Sequence, residues 1–382
     1  MKTAVMNIVP VRTRQHWRQF YQLRRDVYRD DPAAVRPLQR IERGLLDTDT
    51  HPFYQHAARE VFLCVDDRGA AIGSIAAIRD EMHLDHYHDG VGFFGFFEVV
   101  DTPQASPCAR LLIDAAARWL RQRGCTSMRG PVNPSMKSEF GITTEGNDLP
   151  PSVMISHTPA RYADLMTAAD LTIAQTFYCF RLVRNSEQTT QQWKKLGQFS
   201  DRVRKRFPDL EFRPVEKASF ASTMRAINDL GNEVRREGWG FVPLTDAELA
   251  FMIRNLRRVI RMDMIHVAWL GDAMVGYIVN IPDINWALKQ TIGRWDWLRM
   301  LQLPFWIRRT PRARVIALGV DADYRSRGIA MVLIHRLVQS EAEYREWEFS
   351  WVQHDNVKSI RAIARASPLE RTRTFHVYEK PI

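Results

Sequence analysis

Residues 70–80 read AAIGSIAAIRD and residues 273–283 read AMVGYIVNIPD, and this internal repeat constrains the fold more than any other feature of the chain. Aligned without gaps, the two segments share Ala70/Ala273, Gly73/Gly276, Ile75/Ile278, Ile78/Ile281 and Asp80/Asp283. A duplicated segment implies a duplicated structural unit, so what the first copy folds into the second should repeat. Each copy follows an apolar run, Val61–Val65 or Ile265–Trp269, and a Gly/Asp turn, which is the pattern of a β-hairpin.

The elements after the hairpins correspond as well. Val91–Val99 (VGFFGFFEV) predicts a buried strand, and 106–122 a helix with Leu112, Ala115, Ala116, Trp119 and Leu120 on one face. The second half answers with a strand at Ala313–Val320 and a helix carrying Ala330, Leu333, Ile334, Leu337 and Val338 on one face. An amphipathic helix precedes each hairpin, with Trp17, Phe20, Tyr21 and Val27 in the first half and 220–237 in the second. A further strand follows each unit (125–129, then 346–353), then a short helix and a terminal strand. The expected fold class is α/β (α+β), in two tandem units of one design. The polar run RNSEQTTQQWKK interrupts the pattern near 184–200 and places the expected domains at 1–190 and 191–382.

Composition narrows the class. At 382 residues, 45% hydrophobic and 26% charged, the chain can bury a core in each unit and reads as globular. Cys64, Cys108, Cys125 and Cys179 form no CxxC pair, which argues against a zinc ribbon or a disulfide framework. The N-terminal stretch lacks the apolar core of a signal peptide, and no run approaches a membrane span, so the expected location is cytoplasmic. A net charge of +10 attracts anions such as CoA, nucleic acid or lipid headgroups. With no RRM, KH, zinc-finger or heptad signature, nucleic acid is the least favoured partner.

Between strand and helix in the second half stands Val320-Asp-Ala-Asp-Tyr-Arg325-Ser-Arg327-Gly328-Ile-Ala330. A helix N-terminus offers unpaired N–H groups and partial positive charge to a diphosphate. Gly328 lets backbone approach the phosphates, and a small Ala330 keeps the first turn open. This stretch resembles the acyl-CoA loop of the GNAT (GCN5-related N-acetyltransferase) superfamily, Arg/Gln-x-x-Gly-x-Gly/Ala. The resemblance implies acyl-CoA, from acetyl-CoA to longer chains, as co-substrate with no metal. It also implies two mixed, mostly antiparallel sheets flanked by helices, and a donor site formed by Leu318, Val320, Arg325, Ser326, Arg327, Gly328, Ile329, Ala330 and Asn356. The equivalent turn of the first half, Asp101-Thr-Pro-Gln-Ala-Ser-Pro-Cys108, lacks glycine and arginine, and Pro103 and Pro107 lack an N–H. The first half therefore reads as a degenerate copy, kept for support or for the acceptor. In many family members a tyrosine seven residues after the helix-starting asparagine protonates the departing thiolate; here that position is Ile363.

The whole length is similar to a family of bacterial tandem GNAT-like proteins through Gly92–Glu98, Gly130-Pro-Val-Asn133, Gly238–Pro243, Pro282–Asn285 and Ser350-Trp-Val. Bacterial ceramide synthases, which acylate a sphingoid amine, are similar in kind. Amide formation from a thioester requires a neutral amine, and a free alkylamine titrates near ~10.4, so a base or a desolvating site must help it lose its proton. Glu348, on the strand beside the loop, and Glu139, in Asn133-Pro-Ser-Met-Lys-Ser-Glu139, are the candidate bases, with Asn133 beside Glu139. The backbone N–H near Val320 would hold the thioester carbonyl. No serine or cysteine is placed as a nucleophile, which favours direct attack. His83, His86 and His88 lack a partner set for a metal and read as a polar hairpin tip.

The second half spends residues 284–312 where the first spends 81–90. That insertion holds Trp286, Trp295, Trp297 and Trp306 among Arg294, Arg299, Arg308 and Arg309, a mixture suited to a lid or to the inner face of an anionic membrane. Trp239, Phe241, Asn285 and Trp295 are the candidate acceptor contacts. The resulting expectation is an N-acyltransferase acting on a small or lipid-like primary amine. The alternatives are a non-catalytic acyl-CoA-binding protein and, less in keeping with the loop, an aminoacyl transferase using tRNA.

Overall fold

In the computed structural model, residues 6–184, 187–293, 295–341, 343–366, 368 and 370–382 are described. The chain runs through β1 (Asn7–Pro10), α1 (Arg14–Val27), α2 (Gln39–Gly44), β2 (Ala57–Val65), β3 (Ala71–Asp80), α3 (Glu81–Tyr87), β4 (Val91–Val99) and α4 (Ala105–Arg121). Then come β5 (Ser127–Gly130), the short β6 (Val132–Asn133), β7 (Glu139–Phe140) and β8 (Ile142–Glu145), α5 (Tyr162–Ala168) and β9 (Thr172–Val183). The second half holds α6 (Glu187–Arg206), β10 (Leu210–Arg213), α7 (Phe220–Arg235), α8 (Asp246–Leu256), β11 (Ile265–Leu270), β12 (Ala273–Pro282), α9 (Ile284–Gln290) and α10 (Asp296–Ile307). It ends with β13 (Arg312–Val320), α11 (Ile329–Ser340), β14 (Glu346–Gln353), α12 (Val357–Ala366) and β15 (Glu370–Pro381).

Two units result: Met1–Thr176 with Arg373–Ile382, and Phe177–Thr372. In the first, the strand order is β1-β2-β3-β4-β5-β15; in the second it is β10-β11-β12-β13-β14-β9. Within each unit only β4/β5 or β13/β14 run parallel, and the other neighbours are antiparallel. The division differs from the expected 190/191. The sheet of the first unit is closed by Tyr378–Pro381 pairing with β5, and that of the second by Phe177–Val183 pairing with β14. The polar run at the expected junction starts helix α6. Its apolar positions Leu196 and Val203 are buried, with Trp193 and Phe199 against the same core, so the amphipathic period outweighs the polar composition.

The repeated residues have repeated jobs. A Cβ on Gly73 would lie 2.6 Å from Cys108 Sγ and 2.8 Å from Leu112 Cδ1; one on Gly276 would lie 3.2 Å from Ile329 and from Leu333. Glycine at this place lets α4 or α11 pack directly on the sheet. Ile75 and Ile278 are fully buried in the two cores. Asp80 caps α3 by accepting from the N–H of Met82 (3.1 Å) and of His83 (3.4 Å), and Asp283 caps α9 from Asn285 N–H (3.1 Å). The expected polar hairpin tip at 81–90 is thus the helix α3. His83 is buried there and meets Asp89 at 3.2 Å.

Candidate functional site

In both units the parallel pair of strands parts. β13 and β14 stay in register only from Arg312/Glu346 to Val315/Phe349, although they run on to Val320 and Gln353. A bulge in β13 against Val279/Asn280 turns the strand away from β14 at that point. β4 and β5 likewise stay paired only from Val91/Ser127 to Phe93/Arg129, with an irregularity opposite Ser74/Ala76.

In the second unit the open end of the parted strands carries the basic loop. Asp321 starts it, accepting from Asp323 N–H (2.8 Å), and Ser326 (φ +63°) and Gly328 (φ +96°) turn it into α11. Gly328 is the N-cap and no side chain closes the first turn, so the leading N–H groups of α11 keep their donor capacity. Arg325, Ser326 and Arg327 are exposed, Ala330 half-buried, and Ile329 buried as the helix anchor. Arg325 donates to Val234 O (3.1 Å) at the end of α7, and the Arg327 guanidinium stands 5.4 Å from the centre of the Tyr324 ring. Leu318 and Val320 pack on the core beneath. Asn356 is committed to capping α12: its Oδ1 accepts from Ser359 N–H (3.1 Å). Ile363 is buried in the core of the unit.

Of the acceptor candidates, Trp239 lies at the far end of β14, accepting from Gln353 Nε2 (3.4 Å) through its carbonyl and facing Phe177 at 5.9 Å between ring centres. Phe241 follows it under the Arg235 guanidinium (5.2 Å). Asn285 and Trp295 are placed elsewhere. They follow Pro282, which pairs with Ala313, seven residues along β13 from Val320 and thus roughly 23 Å from the loop. Trp295 is 66% exposed at the start of α10; Arg294, named with it above, lies outside the described residues. Glu348 also sits low, beside Arg314 on one side and Arg181 on the other, where Ser350 Oγ donates to it (3.4 Å). Arg314, itself buried, donates to the same Ser350 Oγ (2.9 Å). Glu348 is thus flanked by two arginines at the foot of the gap, six residues from the Val320 level.

In the first unit the same gap is closed and lined differently. The Val99 N–H, at the position of Val320, donates to Tyr162 Oη (2.8 Å), and Arg161 donates to Val99 O (2.6 Å). Pro107 stands in the first turn of α4. Below this plug lies a small cavity of ≈ 30 Å³, to which Glu139 and Asn133 both contribute. Asn133 Oδ1 accepts the N–H of Phe96 (2.7 Å), a residue held at φ +49° where β4 turns outward. Glu139 is half-buried, opposite Asn133 across the β6/β7 pair.

The same cavity contains residues that the sequence reading passes over. Glu98 is 9% exposed, accepts from Tyr162 Oη (2.9 Å) and faces Arg24 at 3.7 Å. Burial pushes its carboxyl up to about 7, against the pull of Arg24 and of the Tyr162 and Tyr28 hydroxyls. Arg24 also faces Glu42 at 3.6 Å; desolvation disfavours its charge, but Glu42, Glu139 and Glu98 outweigh it and the guanidinium is held more firmly protonated. His157 Nε2 meets Asp31 at 2.6 Å, and Tyr28 donates to His157 O (3.0 Å). A signal was present: Glu98 is the one carboxylate in a nine-residue strand that is otherwise apolar and wholly buried. Among the described residues no group of three His, Cys, Asp or Glu could hold a metal, and no helix is long and apolar enough to cross a membrane.

No protein-family model matches the chain. It is 28% identical to Protein YghO of Escherichia coli K12, over 93% of the chain and 90% of that protein. It is 25% identical to a bacterial ceramide synthase of Caulobacter vibrioides, over 99% of the chain and 98% of that protein. Among solved structures, a tandem GNAT protein from the clavulanic acid biosynthesis pathway matches with a TM-score of 0.55 and 11% identity, over 99% of this chain and 98% of that one. The GCN5-related glucosamine N-acetyltransferase region of a fungal multi-domain β-N-acetylglucosaminidase matches with a TM-score of 0.56 and 11% identity; the chain spans 38% of that protein. With the strand order and parted strands of both halves, these likenesses identify the chain as a tandem protein of the GCN5-related N-acetyltransferase fold.

Proposed function

We propose that the protein transfers an acyl group from acyl-CoA to a primary amine by direct attack, with the donor's diphosphate on the loop Arg325–Ala330. The observation that carries this reading is the contrast between the two gaps. Neither helix start has a side-chain cap, but the second unit leads into its helix with the exposed basic residues Arg325 and Arg327 and a glycine, while the first has Pro107 in the first turn and Tyr162 on the equivalent strand N–H. The neutral amine nitrogen attacks the thioester carbonyl, the C–S bond breaks, and the proton that the nitrogen loses ends on the departing thiolate, directly or through water. Positioning supplies much of the acceleration. The core position of Ile363 supports a departing thiolate that draws its proton from water or from another group.

A long-chain donor or a lipid-like amine is the sharper form of this proposal. Its support is the relation to a bacterial ceramide synthase over nearly the whole chain. The exposed face of the α9–α10 excursion, with Trp295, Trp297, Leu301 and Phe305 near Arg308 and Arg309, suits an anionic lipid surface. Thiol release with acetyl-, octanoyl- and palmitoyl-CoA against a panel of amines tests the activity. Turnover that rises with acyl length is expected. CoA binding without any turnover would instead establish a non-catalytic acyl-CoA-binding protein, the reading that Ile363 favours.

A further inference from the structure

We propose that Arg204 and Arg336, which share the ring of Phe212 beside the donor loop, form a subsite for a phosphate monoester, the 3′-phosphate of the acyl-CoA donor. Arg204 stands near the end of α6, Arg336 on α11 and Phe212 on the edge strand β10. The two guanidinium carbons lie 5.5 Å and 4.7 Å from the centre of that ring, so two like charges are gathered on one apolar surface. Arg336 Nε is buried and makes no hydrogen bond, and among the described residues neither guanidinium forms an ion pair. The carboxylate of Asp201, one turn earlier on α6, acts on His335 instead. Burial and then Arg204 both lower the Arg336 pKa, the mark of a cation without its counter-charge. A guanidinium presents five donors in a planar fork, which phosphate oxygens match.

The fold itself does not require a charge at this place. Phe212 pairs with Ala268, which pairs with Gly276; in the first unit Ile8 pairs with Cys64, which pairs with Gly73. Ile8 therefore holds the position of Phe212. The two repeat glycines carry Ile329 and Leu333 of α11 or Cys108 and Leu112 of α4, so Arg336, three residues past Leu333, corresponds to Ala115, three past Leu112. The first unit fills this place with isoleucine and a buried alanine, whereas a buried guanidinium donor with no acceptor is unfavourable by itself. The departure from the shared design falls in the unit that carries the donor loop, and it borders that loop. A Cβ on Gly328 would lie 2.7 Å from Cγ2 of Val203, the residue before Arg204, and Phe207 meets Tyr324 at 6.4 Å between ring centres. In coenzyme A the 3′-phosphate is one ribose ring from the diphosphate, so a diphosphate on Arg325–Ala330 brings it within reach of the end of α6.

This inference rests on the donor-loop reading, and its test tells the two apart. The full-length chain is titrated by calorimetry with CoA and with 3′-dephospho-CoA. CoA should bind about tenfold more tightly than dephospho-CoA. Arg204→Ala, at an exposed position, and Arg336→Met should bring CoA down to the affinity of dephospho-CoA and leave dephospho-CoA unchanged. Arg327→Glu, by contrast, should weaken both nucleotides alike. If Arg336→Met fails to fold by thermal melting, Arg204→Ala carries the comparison alone. Equal wild-type affinity for the two nucleotides, or a preference untouched by Arg204→Ala, overturns the subsite and leaves the loop standing. Arg204→Ala weakening both nucleotides equally also overturns it, since the arginine would then act only as general positive charge. A wild type that binds neither nucleotide overturns the loop and the subsite together.

Discussion

Glu98 ties stability to pH through a single proton. Its carboxyl titrates near 7 in the folded chain and near 4.5 when exposed, so the folded state binds the extra proton between these values. Stability therefore falls as pH rises from about 4.5 to about 7 and is level above, by about 3 kcal/mol at most for this group. The groups facing it are Arg24 on α1, Tyr28, Glu42 on α2, Glu139 on β7 and Tyr162 on α5. Denaturant unfolding at pH 5, 6, 7 and 8 should show this loss in the wild type and not in Glu98→Gln. At pH 8 that variant should be the more stable by about 1–3 kcal/mol. Gly328 is a less clean probe of the donor loop than Arg327. A Cβ on Gly328 would come within 2.7 Å of Val203 Cγ2 and 2.9 Å of Phe199 Cε1 at a φ of +96°, so any side chain there strains the fold. Arg327→Glu, at an exposed position, should leave the melting temperature unchanged and weaken CoA roughly tenfold by calorimetry. Unaltered affinity would count against the loop as the diphosphate site.

Single elements report on why the halves match. Gly73 is crowded by Cys108 and Leu112 more tightly than Gly276 is by Ile329 and Leu333, so Gly73→Ala should lower thermal stability more than Gly276→Ala. Equal effects would mean that α4 can shift as readily as α11. Helix α10 allows a separate test of the lipid surface. Trp295, Trp297 and Leu301 are exposed and apolar, so replacing all three with serine should abolish co-flotation with anionic liposomes at low salt. The wild type floating no better than this variant would remove the membrane reading. Much of this scale was legible in the chain itself. Hairpin glycines, capping aspartates and the strand–turn–helix with Gly328 are set by neighbours a few residues away. Helix α6 was concealed by its polar residues, although Trp193, Leu196, Phe199 and Val203 recur at helical spacing. The cavity was less legible because Arg24, Glu42, Glu98 and Glu139 meet only through tertiary packing. Glu139 and Asn133 could be picked out from their own loop, whereas their partners on α1, α2 and β4 could not.

At the scale of the molecule, the two units differ in how the chain supplies them. Phe177–Thr372 is continuous, whereas Met1–Thr176 is completed by Arg373–Ile382, which gives β5 its neighbour and pairs with β8 through Thr374–His376. A fragment 177–372 is expected to unfold cooperatively, and a fragment 1–176 to lack a cooperative transition. Joining 373–382 to 1–176 by a flexible linker should restore one. Circular dichroism melts of the three fragments check this, and a cooperative 1–176 would show that the added strand is dispensable. The expected boundary at 190/191 differs from this division for the same reason, since no local pattern announces that a strand belongs to a unit left almost two hundred residues earlier.

That arrangement sets an order of events at the ribosome. After Thr176 emerges, 196 further residues, 177–372, must be made before the strand that completes the first unit exists. At ordinary synthesis speeds of about 5–20 residues per second this is a wait of roughly 10–40 s. During that time β5 presents an open edge to any passing strand, and the later-made half can finish folding before the half that precedes it.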